Sequence, residues 1–109
     1  MAAQVVRVWS GTVRASDAEA YLELMRAHAV PDYCAVPGNL GAQVWHRPES
    51  DGTVRVTTVS WWDSRASIVA FAGADIEVAR YYDFDDRYLL DRGPVIHHHD
   101  VIGDGRPTG

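Results

Sequence analysis

The order of its patterns constrains this chain most. A Val-rich run comes first, then an amphipathic stretch behind an acidic start. Two alternating runs around an Asp-Gly turn follow, then a second helical stretch and a last Val/Ile-bounded run, all within 109 residues. Read as elements, that order is βαββαβ. A chain of this length makes one domain with a modest core. We take residues 1–102 as that domain and 103–109, of linker composition, as a flexible C-terminal tail.

Gln4 to Val13 is apolar on both faces, with Val5 and Trp9 on one and Val6 and Val8 on the other. Ser16-Asp17-Ala18-Glu19 reads as a capping box opening a helix to about Val30. Tyr21, Leu24, Met25 and His28 share its apolar stripe, and Pro31 ends it or starts a new short turn. Pro37-Gly38-Asn39 is a turn. Leu40–Arg47 and Thr53–Trp62 are strands joined through Asp51-Gly52. Asp63 or Ser64 caps a helix carrying Ile68, Val69 and Phe71, which Gly73 interrupts. A second helical piece is expected over Asp75–Tyr82, and Gly93-Pro94 opens a final strand, Val95–Ile102. The fold class is therefore α+β and ferredoxin-like: a four-stranded antiparallel sheet with helices on one face. Strands apolar on both faces need a second cover, so a homodimer with two sheets packed face to face is expected.

Charge narrows the partners. Net charge is -5, from 10 basic residues, all arginine, against 15 acidic ones, with no basic run. Nucleic acid is not an expected partner. No apolar run approaches the roughly 20 residues that cross a bilayer, so no membrane partner is expected. The start lacks a signal-peptide pattern, and the single Cys34 suits a reducing compartment, so a cytoplasmic protein is expected. Cys34 has no basic neighbour in sequence and reads as structural. Glycine-rich phosphate loops, Gly-x-Ser-x-Gly and Cys-x-x-Cys are all absent, so no nucleotide or flavin site is recognisable.

Polar residues inside apolar elements are the handle on chemistry. His28, on the helix stripe, is either a satisfied core histidine or an acid–base group facing a pocket between helix and sheet. In His97-His98-His99-Asp100, His97 and His99 share one strand face and His98 and Asp100 the other. Two imidazoles without further ligands make an incomplete set, so no metal is expected. Trp9, Tyr33, Trp45, Trp61, Trp62, Tyr81 and Tyr82 are core or interface residues, or the walls of a site for a flat aromatic molecule. Arg7 shares a strand face with Val5 and Trp9. Buried there, it needs a carboxylate such as Asp100, or a substrate anion.

Some of these pieces also carry a family likeness: Arg7-Val8-Trp9-Ser10-Gly11, His28 with Ala29-Val30-Pro31 and Tyr33, Pro37-Gly38-Asn39-Leu40-Gly41, and Ser60-Trp61-Trp62-Asp63-Ser64. Phe71-Ala72-Gly73, Tyr81-Tyr82, Asp85, Tyr88-Leu89 and His98 continue it. The chain resembles antibiotic biosynthesis monooxygenase-like proteins of the dimeric α+β barrel superfamily. That resemblance implies a small homodimeric enzyme acting on an aromatic or polyketide-like metabolite as a cofactor-independent monooxygenase. The same pocket would also serve a non-redox cyclase or lyase, or a non-catalytic small-molecule-binding dimer. The catalytic candidates are His28, His98, which matches the family's last-strand histidine, and Tyr33. Trp62, Tyr82, Trp9, Phe71 and Arg7 are the substrate-binding candidates. Haem-degrading relatives have a helical histidine where this chain has Phe71 and Ala72, so no haem is implied.

Overall fold

Inward-facing side chains decide where the strands lie. In β1 (Val5–Arg14), Val5, Arg7, Trp9, Gly11 and Val13 alternate to one face and are all buried. In β3 (Thr53–Trp62), Val54, Val56, Thr58, Ser60 and Trp62 do the same. The two run antiparallel, from Val5 opposite Trp62 to Val13 opposite Val54. β2 (Asn39–Pro48) pairs outside β3, and β4 (Val95–Asp100) pairs on the far side of β1. The sheet order is β2-β3-β1-β4, and the fold is the expected ferredoxin-like α+β arrangement. The computed structural model describes residues 3–90 and 95–108. Gly93-Pro94, expected to open the last strand, lies outside the described residues.

The first helix departs from its expected form twice. No side chain caps its start: a 3₁₀ turn, Ala15–Asp17, precedes α1 (Ala18–Leu24), and the Ser16–Glu19 capping box does not form. The regular helix also gives way before Pro31, which stands in the first turn of a new short segment, the second of its two expected roles. A π-helical turn, Met25–Ala29, leads straight into α2 (Val30–Cys34), with the Val30 N–H bonded to the Met25 carbonyl. Proline tolerates the first turn of a segment, where its missing N–H has no helical partner. The register change supplies such a position inside a continuous rod. The wider turn also shifts the buried stripe, which becomes Tyr21, Met25, Ala29 and Tyr33. His28 is therefore exposed, not aimed at the sheet as its spacing predicted.

α3 (Arg65–Ala72) starts at Ser64, whose hydroxyl accepts the Ser67 N–H at 3.3 Å. It stops at Gly73, whose φ of +93° suits glycine. The helix expected over Asp75–Tyr82 is absent; α4 (Asp85–Tyr88) forms instead. The intervening backbone is irregular because its carbonyls at Ile76 and Val78 turn to the Arg7 guanidinium. A helix would use those carbonyls internally.

The helices cover one sheet face, where Trp9, Tyr21, Met25, Tyr33, Trp62, Ile68 and Phe71 form the core. On the other face, Gln43, Val59, Val8 and His97 make one cross-sheet row, and Trp45, Thr57, Ser10 and Val95 the next. Trp45 is 51% exposed and Val95 49%. β4 ends at Asp100, earlier than predicted, and no helix is long and apolar enough to cross a membrane among the described residues.

Candidate active site

Sheet register assembles the site. Ala42, Ser60, Arg7 and His98 form one inward row, and Val44, Thr58, Trp9 and Ile96 form the adjacent one. Over these rows the first helix lowers Met25, Ala29 and Tyr33, α3 brings Phe71, and the irregular segment brings Arg80 and Tyr82. Together with Asp85 they enclose a cavity of about 10 Å³, room for about one water.

Arg7 is 1% exposed. Its Nη1 donates to the Ile76 carbonyl at 2.5 Å and lies 3.0 Å from His98 Nε2, and its Nη2 donates to the Val78 carbonyl at 3.3 Å. A guanidinium can only donate, so His98 Nε2 accepts and the proton of the neutral ring sits on Nδ1. Burial first, then the Arg7 charge, hold the His98 pKa below its usual value. Nδ1 lies 3.4 Å from the largely solvated Glu77 carboxylate without a hydrogen bond to it. Burial likewise lowers the Arg7 pKa, with Tyr33 the first opposing influence. Asp100, the carboxylate expected beside Arg7, pairs with Arg65 at 2.9 Å instead, because it sits two residues further along the row-forming strand.

The remaining members are tied to one another. Tyr33 Oη lies 2.9 Å from Thr58 Oγ1, and its ring stacks on Phe71 with centroids 4.2 Å apart. Burial raises the Tyr33 pKa against the opposing effects of Thr58 and Arg7. Arg80 lies over Phe71, 4.7 Å from its centroid, and also faces Tyr82. Trp62 Nε1 donates to Ser60 Oγ at 2.8 Å. Asp85 accepts from Tyr21 Oη at 2.8 Å and from the Tyr82 N–H at 2.7 Å, and burial pushes its pKa up. Burial, then Asp32, push the Tyr82 hydroxyl up; that hydroxyl makes no hydrogen bond.

Of the residues singled out from sequence, Arg7, Trp9, Tyr33, Phe71 and Tyr82 line the cavity; His98 and Trp62 stand directly behind it. His28 is outside, its ring 5.8 Å from Phe84. His97 and His99 lie on the opposite sheet face, rings 6.3 Å apart, with no group of three metal-ligating side chains among the described residues. Cys34 is exposed, not structural packing. Thr58 and Arg80 were not singled out, and Asp85 entered only as part of the family likeness. For Thr58 the signal was present: it and Ser60 are hydroxyls in the otherwise apolar inward row of β3. Arg80 reaches the site on irregular backbone that no periodicity marks, and Asp85 at the start of the one-turn helix α4. A second groove of about 560 Å³, lined by Ala18, Leu22, Val44, His46, Pro48 and Val54, is larger. It holds no buried ionisable group and is the weaker candidate.

No family model matches the chain, and no curated protein does. Solved structures share its fold. A Bacillus cereus protein labelled an antibiotic biosynthesis monooxygenase is similar at a TM-score of 0.68 and 10% identity, covering 97% of this chain and 100% of that one. A Streptomyces coelicolor monooxygenase in complex with nanaomycin D is similar at 0.64 and 20%, covering 97% and 94%. A heme-degrading protein of Mycobacterium tuberculosis is similar at 0.61 and 19%, covering 97% and 100%. In this chain α3 has no histidine, cysteine, methionine or tyrosine, so it offers no side-chain ligand to a haem iron.

Proposed function

We propose that this chain is a cytoplasmic homodimeric enzyme that oxidises a planar, oxygen-bearing aromatic metabolite of polyketide type with dioxygen, without a bound cofactor. One observation carries the reading. Three buried polar atoms without hydrogen-bond partners, Arg7 Nε, Trp9 Nε1 and Tyr82 Oη, belong to residues that line one aromatic-walled chamber. Each can donate, and orphaned buried donors are costly unless a ligand supplies acceptors. A flat ring system carrying carbonyl or hydroxyl oxygens meets that need. The fold's ability to hold nanaomycin D in the Streptomyces coelicolor enzyme supports it.

In this reading Arg7 and Trp9 Nε1 donate to the ionised phenolic oxygen, His98 Nε2 holds Arg7 in place from behind, and Tyr33 and Phe71 hold the ring plane. The electron-rich ring then reacts with dioxygen. One oxygen atom bonds to carbon. The other leaves as water, with the two hydrogens lost from the C–H and O–H, and a quinone results. A guest of drug size needs about 300 Å³ or more, so residues 73–84 must swing outward to admit it. The open sheet face supports the dimer: a second sheet there would bury Trp45, Trp61 and Val95.

The test is an oxygen electrode with a dihydroxynaphthalene as substrate. One dioxygen consumed per quinone formed is expected. Product without oxygen uptake would reassign the pocket to acid–base chemistry; binding without product would make it a carrier.

A further inference from the structure

Arg7 is a buried cation whose nearest partners are all neutral. Two backbone carbonyls and the His98 ring occupy it, and no carboxylate lies within 4.0 Å of it among the described residues. Glu77, whose charge reaches Arg7 only through space, is 69% exposed and stands against His98 instead. Burying an unpaired charge is expensive, and proteins ordinarily place a counter-ion beside it. The donors are also unevenly used. Nη1 is committed to Ile76 and His98. Nε has no partner, and Nη2 has only the long 3.3 Å contact to Val78. Nε and Nη2 form one straight edge of the guanidinium, the edge that grips a carboxylate through two parallel hydrogen bonds.

We infer that Arg7 is the seat for a full negative charge on the ligand, and that the natural substrate class is an aromatic carboxylate or an equally ionised acid. This rests on the aromatic-site reading above and narrows it. On binding, the ligand's carboxylate takes the Nε–Nη2 edge and displaces the Val78 carbonyl. The carbonyls of the 73–84 segment thus stand in for the ligand's oxygens while the site is closed. Entry of the anion and release of the segment are one event.

The test compares 2-naphthoate with neutral 2-naphthamide by isothermal titration calorimetry on the intact protein. Naphthoate should bind at least about tenfold more tightly, and the preference should fall to near unity in Arg7→Gln. Glu77→Gln removes a competing acid from the exposed rim without touching the guanidinium, and should tighten naphthoate several-fold while leaving naphthamide unchanged. It serves if Arg7→Gln does not fold. Hydrogen exchange at amides 74–84 should quicken with naphthoate and not with naphthamide. Equal binding of the two probes to the wild type would overturn the assignment of Arg7 and leave the aromatic site standing. Failure of both to bind would overturn the aromatic site and the assignment with it.

Discussion

His98 and His28 divide the roles that their spacing had left open. The first is buried against a cation and the second faces solvent beside Phe84. His98→Ala should lower turnover roughly 10²-fold, the usual cost of misplacing a site group such as Arg7 by about 1 Å, whereas His28→Ala should leave it unchanged. Steady-state rates on folded variants check both. His98 also writes itself into the pH dependence of stability. Its folded pKa is depressed below 6.5, first by burial and then by Arg7. As pH falls, the unfolded chain therefore takes up this proton before the folded one does. Stability is full above pH 6.5, declines as pH drops through the folded value and levels off beneath it. Asp85 has the opposite sign: its pKa is raised, so its contribution is greatest in acid and is lost as pH rises through the folded value. Urea titrations from about pH 8 to about pH 5 should show the decline, and His98→Gln should flatten it.

Between strand and helix, one glycine holds a corner together. Gly38 has a φ of +93°, and its carbonyl accepts the Asp63 N–H at 2.9 Å. A Cβ there would come within 2.2 Å of Ser67 Oγ, the residue whose backbone N–H the Ser64 cap receives. Gly38→Ala should therefore cost about 2–3 kcal/mol, through left-handed strain and a disturbed α3 start, read as a lowered denaturation midpoint. This corner was legible in the sequence, as Pro37-Gly38-Asn39 and Asp63-Ser64. So was β3, whose bounds match because Asp51-Gly52 and an unbroken alternation fix both ends. The π turn was not legible. Met25–Ala29 has ordinary helix formers, and only packing against the sheet shows that Ala29, not His28, faces inward. Asp75–Tyr82 misled for the same kind of reason: its backbone is set by Arg7, about seventy positions earlier in sequence. The cavity's aromatic walls could be read from strand and helix faces. Arg80 could not, since irregular backbone delivers it, nor could the role of Asp85, which a helix of a single turn presents.

The sheet as a whole is finished on one side only. Light scattering should give a particle of twice the 12.1 kDa chain mass, and an arginine placed at Trp45 should shift it toward the single-chain mass. The four tryptophans make this visible without any mass measurement. Trp9 and Trp62 are sealed under the helices at 5% and 0% exposure, whereas Trp45 is half bare on the opposite face. Two tryptophans should therefore emit as if in oil, whatever the concentration. Trp45 should change colour with it, emitting blue and escaping acrylamide when chains are crowded, and turning red and quenchable on dilution. The protein thus carries its own gauge of self-association, and the midpoint of that colour change reads the dimer constant directly.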